Sequence, residues 1–264
     1  MKLDSVPYIA RHSIFECFQD ESTLSDDFSP KNFLSDSTPA RISVGRAGTR
    51  PKTDAWLRFR ADHALARDAI LSELRDDFVE DFVKAKGYPF IKTIVESKEE
   101  FIQFPPKGKV VSAQTLLDVK KMCPADIDVQ IVVSDGLSAR AVEKNISDLL
   151  PMIEDGLNLH KISFGLPIFV RYARVAVGDQ LGFALNAKLV VNLIGERPGL
   201  SSSEGLSAYI TFHPSPQTIS SDRTVVSNIH DRGTPPVEAG AYIVKLIKTI
   251  LERKVSGVQL QKLS

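Results

Sequence analysis

Apolar side chains recur along this chain in two periods. Leu57, Ala61, Ala64, Leu65 and Leu71 share one stripe at helical spacing and predict a helix over 53–74 with Thr53 as its N-cap. Val237, Ala241, Val244, Ile247 and Leu251 repeat that stripe near the C-terminus. Thr234 as N-cap and Pro235 as first helical residue predict where that helix starts, and Gly257 where it stops. Shorter helical patterns occupy 77–86, 110–122, a stretch from Ala139, then 149–159 and 179–187. Runs without the helical period predict strands at 128–133, 167–172, 189–194 and 206–212, and 91–104 has the β-branched and aromatic content of another. Val175 and Val177 extend the apolar content after 167–172, while 221–230 reads only as a lead into the Thr-Pro-Pro start. The run at 189–194 is too short for an ordinary helix, rich in Val, Leu and Ile, and bounded by Lys188 and Gly195. It reads as a strand buried on both faces, as in a parallel sheet.

The segment 128–139 is a strand, a turn and a helix in succession, the repeating piece of a doubly wound sheet. The expected class is therefore α/β, with a Rossmann-like, mostly parallel sheet domain over 109–264. A small helical domain over 41–108 precedes it, divided from it by Pro105-Pro106-Lys107-Gly108. Residues 1–40 read as an irregular segment, rich in Ser and Asp and broken by Pro30 and Pro39. Phe15, Phe18, Phe28 and Phe33 punctuate it, either as anchors for a partner surface or as isolated aromatics in a loose tail.

Composition narrows the function classes. A chain of 264 residues with 43% hydrophobic and 25% charged residues has the make-up of a globular protein. Its 33 basic and 33 acidic side chains leave no overall field to attract nucleic acid or an anionic membrane. Cys17 and Cys123 are the two cysteines, which argues against a disulfide framework. No apolar run reaches membrane-spanning length, and the first residues lack the pattern of a secretory signal, so a cytoplasmic protein is expected.

Candidate chemistry gathers at Gly195-Glu196-Arg197-Pro198-Gly199, where the buried run ends in a carboxylate and a guanidinium. Open α/β sheets bind ligands just past the carboxyl ends of their strands. Two glycines would let main chain approach a ligand, and Pro198 pushes Arg197 toward extended backbone. Either these side chains meet a ligand or they solvate a turn. The Gly- and Arg-rich stretch 41–51 has the same two readings, an anion- or partner-binding loop or a solvated one, and it lacks the Gly-Lys-Ser/Thr ending of a Walker loop. Asp135 and Ser138 read as helix caps. His230, beside Asn228 and Asp231, is the best placed of five histidines, yet none has a second ligand at metal spacing. No nucleophile elbow or reactive-cysteine context appears. The residues describe a ligand-binding α/β domain with no visible acid–base machinery, for which no catalytic and no metal-binding residue is nominated.

Several motifs occur in a fixed order: Gly45-Arg-Ala-Gly-x-Arg-Pro51, Ala61-Asp-His63, Ser134-Asp-Gly-Leu-Ser138, Phe169-Val-Arg-Tyr-x-Arg-Val175, Gly195-Glu-Arg-Pro-Gly-Leu200, and Ser227-Asn-Ile-His230 followed by Gly233-Thr-Pro-Pro-Val-Glu-Ala239. From residue 41 onward this ordered set resembles the small (light) subunit of ethanolamine ammonia-lyase. The resemblance implies a subunit of a bacterial, adenosylcobalamin-dependent lyase that converts ethanolamine to acetaldehyde and ammonia. It implies a TIM-barrel large subunit that holds the substrate, six large and six small subunits in the assembly, and a cofactor lying between the two kinds. The cofactor contacts it implies fall on Val175, Glu196 and Val225. Some relatives carry Cys where this chain has Val225, which points to a main-chain or steric contact there. The chain lacks Asp-x-His-x-x-Gly, so base-on adenosylcobalamin is implied. Relatives with N-terminal extensions suggest a bacterial microcompartment as the alternative to a cytoplasmic location, a role that the polarity of residues 1–40 leaves unassigned. The competing function is a Rossmann-like, nucleotide-binding regulatory or scaffold subunit.

Overall fold

The computed structural model describes residues 41–42, 44–200 and 202–263. The expectations for residues 1–40, including the four phenylalanines, lie outside them. The chain divides into two compact units, one up to Arg58 and one from Phe59. In the first, Arg46–Ala47 (β1) and Arg50–Pro51 (β2) pair antiparallel around Gly48, whose φ of +62° suits a residue without a Cβ. Thr53–Leu71 forms one helix (α1). The stripe expected to be its buried face is exposed at Leu57, Leu65 and Leu71, and the helix buries Ala66 and Ala69 instead. Two alanines three residues apart make a narrow buried strip, and the larger side chains stand off it.

The second unit is built on a six-stranded sheet. Its strands are Phe90–Lys92 (β3), Val129–Ser134 (β4), Ile168–Arg171 (β5), Leu189–Gly195 (β6), Leu206–Phe212 (β7) and Arg223–Ile229 (β8), in the order β3-β5-β4-β6-β7-β8. The first four are parallel, and β7 and β8 add an antiparallel edge. β3 brings a strand from before residue 108 into the sheet, and the second unit runs through that position.

Alternation decides which helix covers which face. Val129, Ile131, Val133, Leu189, Val191, Leu193, Ala208 and Ile210 pack under two long helices, Ala139–Leu159 (α2) and Pro236–Arg253 (α3). Val132, Ile168, Val170 and Val190 pack on the other face beneath Ala113–Met122 (α4) and Ala176–Ala184 (α5). Every residue of β6 is buried, as a strand covered on both faces requires. β4 leads through α2 to β5 on one side, while β6 lies on the other. The chain thus reverses direction beside β4, and the turns after β4 and β6 meet at the carboxyl ends of the strands.

Several elements differ from the sequence reading for identifiable reasons. Residues 98–103 are helical rather than strand, because Ser97 Oγ accepts from the Glu100 N–H and Glu100 takes the Glu96 N–H at 2.7 Å. α2 runs unbroken through Pro151, where two helices were expected. Proline removes one hydrogen bond there, but Ile146, Leu149, Leu150, Ile153 and Leu157 bury a continuous face on either side of it. Val175 and Val177, the apolar content that follows β5, belong to the start of α5, since Tyr172 turns the chain with φ of +58°. β8 lacks a strand pattern in the sequence because only Val226 and Ile229 of this edge strand are buried. Pro235 occupies the N-cap of α3 with Pro236 as first helical residue, one position later than expected. That helix ends at left-handed Lys254, and Gly257 opens the next one, Gly257–Gln261.

The close approach at Gly195 is to the chain's own backbone. A Cβ there would sit 2.1 Å from the Ser138 carbonyl and 2.6 Å from that of Asp135, and one on Gly136 would sit 2.1 Å from the Gly195 carbonyl. At Gly199 the nearest atom would be 3.5 Å away. Gly195→Ala is therefore expected to cost about 1–3 kcal/mol through overpacking, and Gly136→Ala, which adds left-handed strain, at least as much. Gly199→Ala is expected to unfold in denaturant close to the parent midpoint. A Gly195→Ala midpoint equal to the parent's would contradict this packing.

Candidate functional site

The site grows from a buried carboxylate in the turn after β4. Asp135 is fully buried and does not cap α2; Ser138 does, accepting from the Ala141 N–H and donating to the Ser203 carbonyl at 2.7 Å. Asp135 instead accepts the Tyr172 N–H at 2.8 Å and the Ala173 N–H at 3.0 Å, so it fixes the turn after β5. Burial pushes its carboxyl above the usual range, opposed by the Lys98 cation and by backbone N–H donors. Lys98, itself 3% exposed, is pushed down by burial and donates to the Gly136 carbonyl.

The turn that Asp135 holds delivers Arg174 and Val175. Val175 is half-buried at the N-cap of α5, and its carbonyl accepts from Asn192 Nδ2 at 3.0 Å. Asn192, in the middle of β6, is 1% exposed and accepts the Ser134 hydroxyl at 2.8 Å through Oδ1. A Cβ on Gly178 would sit 2.9 Å from that of Asn192, so a glycine in α5 is what lets the helix lie against it. Asn192 is a residue the sequence reading passed over as part of an apolar run. One polar residue amid five aliphatic ones was the available signal, since a buried amide must find partners.

Register carries the site onward. Asn192 pairs with Tyr209 on β7, and Tyr209 with Val225 on β8, so all three side chains share the sheet face on which α5 packs. The Tyr209 hydroxyl donates to Glu196 Oε1 at 2.9 Å, and the Glu196 N–H is tied to the Gly205 carbonyl. Glu196 Oε2 has no hydrogen-bond partner among the described residues. Val225 is 47% exposed. Val175, Glu196 and Val225 are thereby connected through Asn192 and Tyr209, residues that the motif pattern did not nominate.

Beside Val175 opens a cleft of about 530 Å³, lined in part by Lys109, Arg174, Val175, Ile219 and Arg223. Arg174 lies over the Phe101 ring at 4.2 Å and donates to its carbonyl, and burial together with nearby Arg197 pulls its guanidinium down. Arg223 is neutralised by Asp179, Nη2 to Oδ2 at 2.6 Å. Arg197 itself is exposed. His230 is occupied within its own loop, with Nε2 on Asn228 Oδ1 at 2.7 Å and Nδ1 accepting from the Arg232 N–H. Among the described residues, no three His, Cys, Asp or Glu side chains group as a metal site, and no helix is long and apolar enough to cross a membrane.

Tyr88, Tyr172 and Tyr209 are each pushed up to about 12, by burial first and then by a carboxylate partner, which for Tyr209 is Glu196. Unfolded phenols ionise near 10, so the stability these groups contribute is complete below pH 10 and is lost as pH rises through 12. In a spectrophotometric titration, Tyr209→Phe is expected to remove one phenol from the late-ionising set. Loss of an early-ionising phenol would contradict the contact with Glu196.

Comparison with known proteins agrees with the resemblance drawn from the motifs. The family model described as ethanolamine ammonia-lyase light chain (EutC) matches residues 29–261. The chain is 43% identical over 228 residues to a protein of Lachnoclostridium phytofermentans named ethanolamine ammonia-lyase small subunit, a match covering 86% of this chain and 76% of that one. A match running from before β1 to the last helix takes in every element of the site, and the chain belongs to the ethanolamine ammonia-lyase light chain family.

Proposed function

We propose that this chain is the small subunit of an adenosylcobalamin-dependent ethanolamine ammonia-lyase and forms one wall of the cofactor site, against a large subunit of TIM-barrel fold that holds ethanolamine. The observation that carries this reading is Glu196 at the carboxyl end of β6, with one oxygen spent on Tyr209, the other open, and Val175 and Val225 joined to it through the sheet.

The residues present fit such a cofactor. Cobalamin has a rim of carboxamide arms, an apolar corrin face and a phosphate in its nucleotide loop. Glu196 Oε2 is an acceptor suited to an amide N–H. Val225 offers exposed apolar surface and Val175 a half-buried flank at the start of α5. Lys109 and Arg174 make the adjoining cleft suitable for an anion. The chemistry that adenosylcobalamin supplies is radical generation by cobalt–carbon homolysis. This chain's residues bind and orient the corrin edge and exclude water from that side. Asn192 holds the main chain at Val175, and Asp135 holds the turn that precedes it. Substrate handling is assigned to the large subunit, so no residue of this chain is given a catalytic role. The absence of Asp-x-His-x-x-Gly supports base-on binding. Exposed Ile219, Val225, Val237 and Tyr242 suit a subunit whose apolar surface is covered within an assembly, here six large and six small subunits, in the cytoplasm or a bacterial microcompartment.

Reconstitution tests this reading. Mixed with the large subunit and adenosylcobalamin, the chain is expected to yield ethanolamine-dependent acetaldehyde, whereas the large subunit with cofactor is not. Equal aldehyde formation with and without this chain would overturn it. Glu196→Ala is expected to weaken cofactor binding to the assembled enzyme by about 1–3 kcal/mol, read as cofactor affinity by equilibrium dialysis.

A further inference from the structure

We infer that Tyr209 and Glu196 form one specificity element that selects a corrinoid bearing a carboxamide, and rejects one bearing a carboxylic acid, at the rim arm facing the end of β6. The inference rests on the cofactor reading above and adds a positioning residue and a discrimination to it.

A glutamate at a strand end has three side-chain torsions to settle before it can meet a ligand in one direction. Here one bond fixes the main chain from which the side chain springs, and a second removes much of the side-chain freedom. The Glu196 N–H is held by the Gly205 carbonyl at 2.9 Å, and Oε1 is held by the Tyr209 hydroxyl at 2.9 Å. Tyr209 is itself a poor mover, because it stands in the ladder between Asn192 and Val225 and is half-buried. Rigidity set before binding is affinity gained at binding. The phenol remains a donor throughout the neutral range, since burial and Glu196 push it up to about 12.

With Oε1 occupied, recognition falls to Oε2, which has no partner among the described residues. A carboxylate oxygen accepts and cannot donate. A carboxamide arm supplies the N–H it needs. A carboxylate arm supplies a like charge and no proton. A protein site whose polar group is left facing the wrong partner discriminates far more strongly than an apolar pocket does. Val225 flanks Tyr209 on the next strand and presents an apolar surface there, while the Arg223 guanidinium two residues before it is engaged by Asp179 at 2.6 Å.

The test uses the assembly of this chain with its large subunit. The probes are cyanocobalamin and its monocarboxylic acid derivatives, each with a single carboxamide hydrolysed. Affinities are read by equilibrium dialysis, beside the thermal midpoint of each variant. The parent assembly is expected to bind at least one monoacid about 100-fold more weakly than cyanocobalamin. Glu196→Gln, which can both accept and donate, is expected to narrow that gap to about threefold. Tyr209→Phe is expected to weaken cyanocobalamin about tenfold in the Glu196 background and to have less effect beside Glu196→Gln, the mark of a coupled pair. Monoacids that all bind as well as cyanocobalamin, or a gap that survives Glu196→Gln, would overturn the inference while leaving the cofactor reading intact. A parent assembly that binds no cyanocobalamin would overturn both.

Discussion

The constraint on which the carboxyl-end edge of the second unit's sheet depends is the burial of the Asp135 carboxyl group. An ionised oxygen pair inside a protein must be saturated with donors or it will not stay charged. Asp135 answers part of that demand by taking two consecutive N–H groups from Tyr172 and Ala173, with Lys98 nearby, while burial still pushes its carboxyl up. The bonds run between the turn after one strand and the turn after its neighbour. They hold Tyr172 at φ of +58°, a conformation that a bulky residue adopts only when its surroundings insist. Everything downstream inherits that placement: Arg174 over Phe101, Val175 at the start of α5, and the Val175 carbonyl within reach of Asn192.

A second tie comes from the β6 side. Gly195 and Gly136 press their backbones together so closely that neither tolerates a Cβ, and the Leu137 N–H donates to the Gly195 carbonyl at 3.0 Å. The turns after β4, β5 and β6 therefore form one consolidated edge rather than three independent loops. Glu196 and Val175 emerge from that edge on fixed backbone, and Tyr209 and Val225 approach from the antiparallel extension of the sheet. Such a surface suits the wall of a shared site. Under the proposed function it would hold one side of a large, flat cofactor, with the chemistry left to that cofactor and to the large subunit.

Much of this could be read in the sequence, and the exceptions have physical causes. The fully buried β6 was legible because a parallel strand covered on both faces has no alternation to obscure it. The doubly wound plan followed from the strand, turn and helix at 128–139. The edge strand β8 and the short β3 were poorly legible, because edge strands bury few side chains and their pattern resembles a loop. Residues 98–103 carried strand-like content yet became helix, where a cap at Ser97 outweighed β propensity. At the site, Glu196 stood out from its place after a buried run, and Val175 and Val225 were implied by the family resemblance alone. Asn192 and Tyr209 were not reached, since their importance lies in cross-strand register, which emerges only once β6, β7 and β8 are aligned. Asp135 was read as a cap because sequence shows its position before a helix and not the turn of β5 that lies beside it in space.

The most direct measurement is a density map of the assembly of this chain with its large subunit and a cobalamin. The expected result is a corrin edge against the ends of β5 and β6, with Val175, Glu196 and Val225 facing it and the Tyr209 hydroxyl still on Glu196. A map in which those three positions face bulk solvent, away from the macrocycle, would contradict the role assigned to this edge of the sheet.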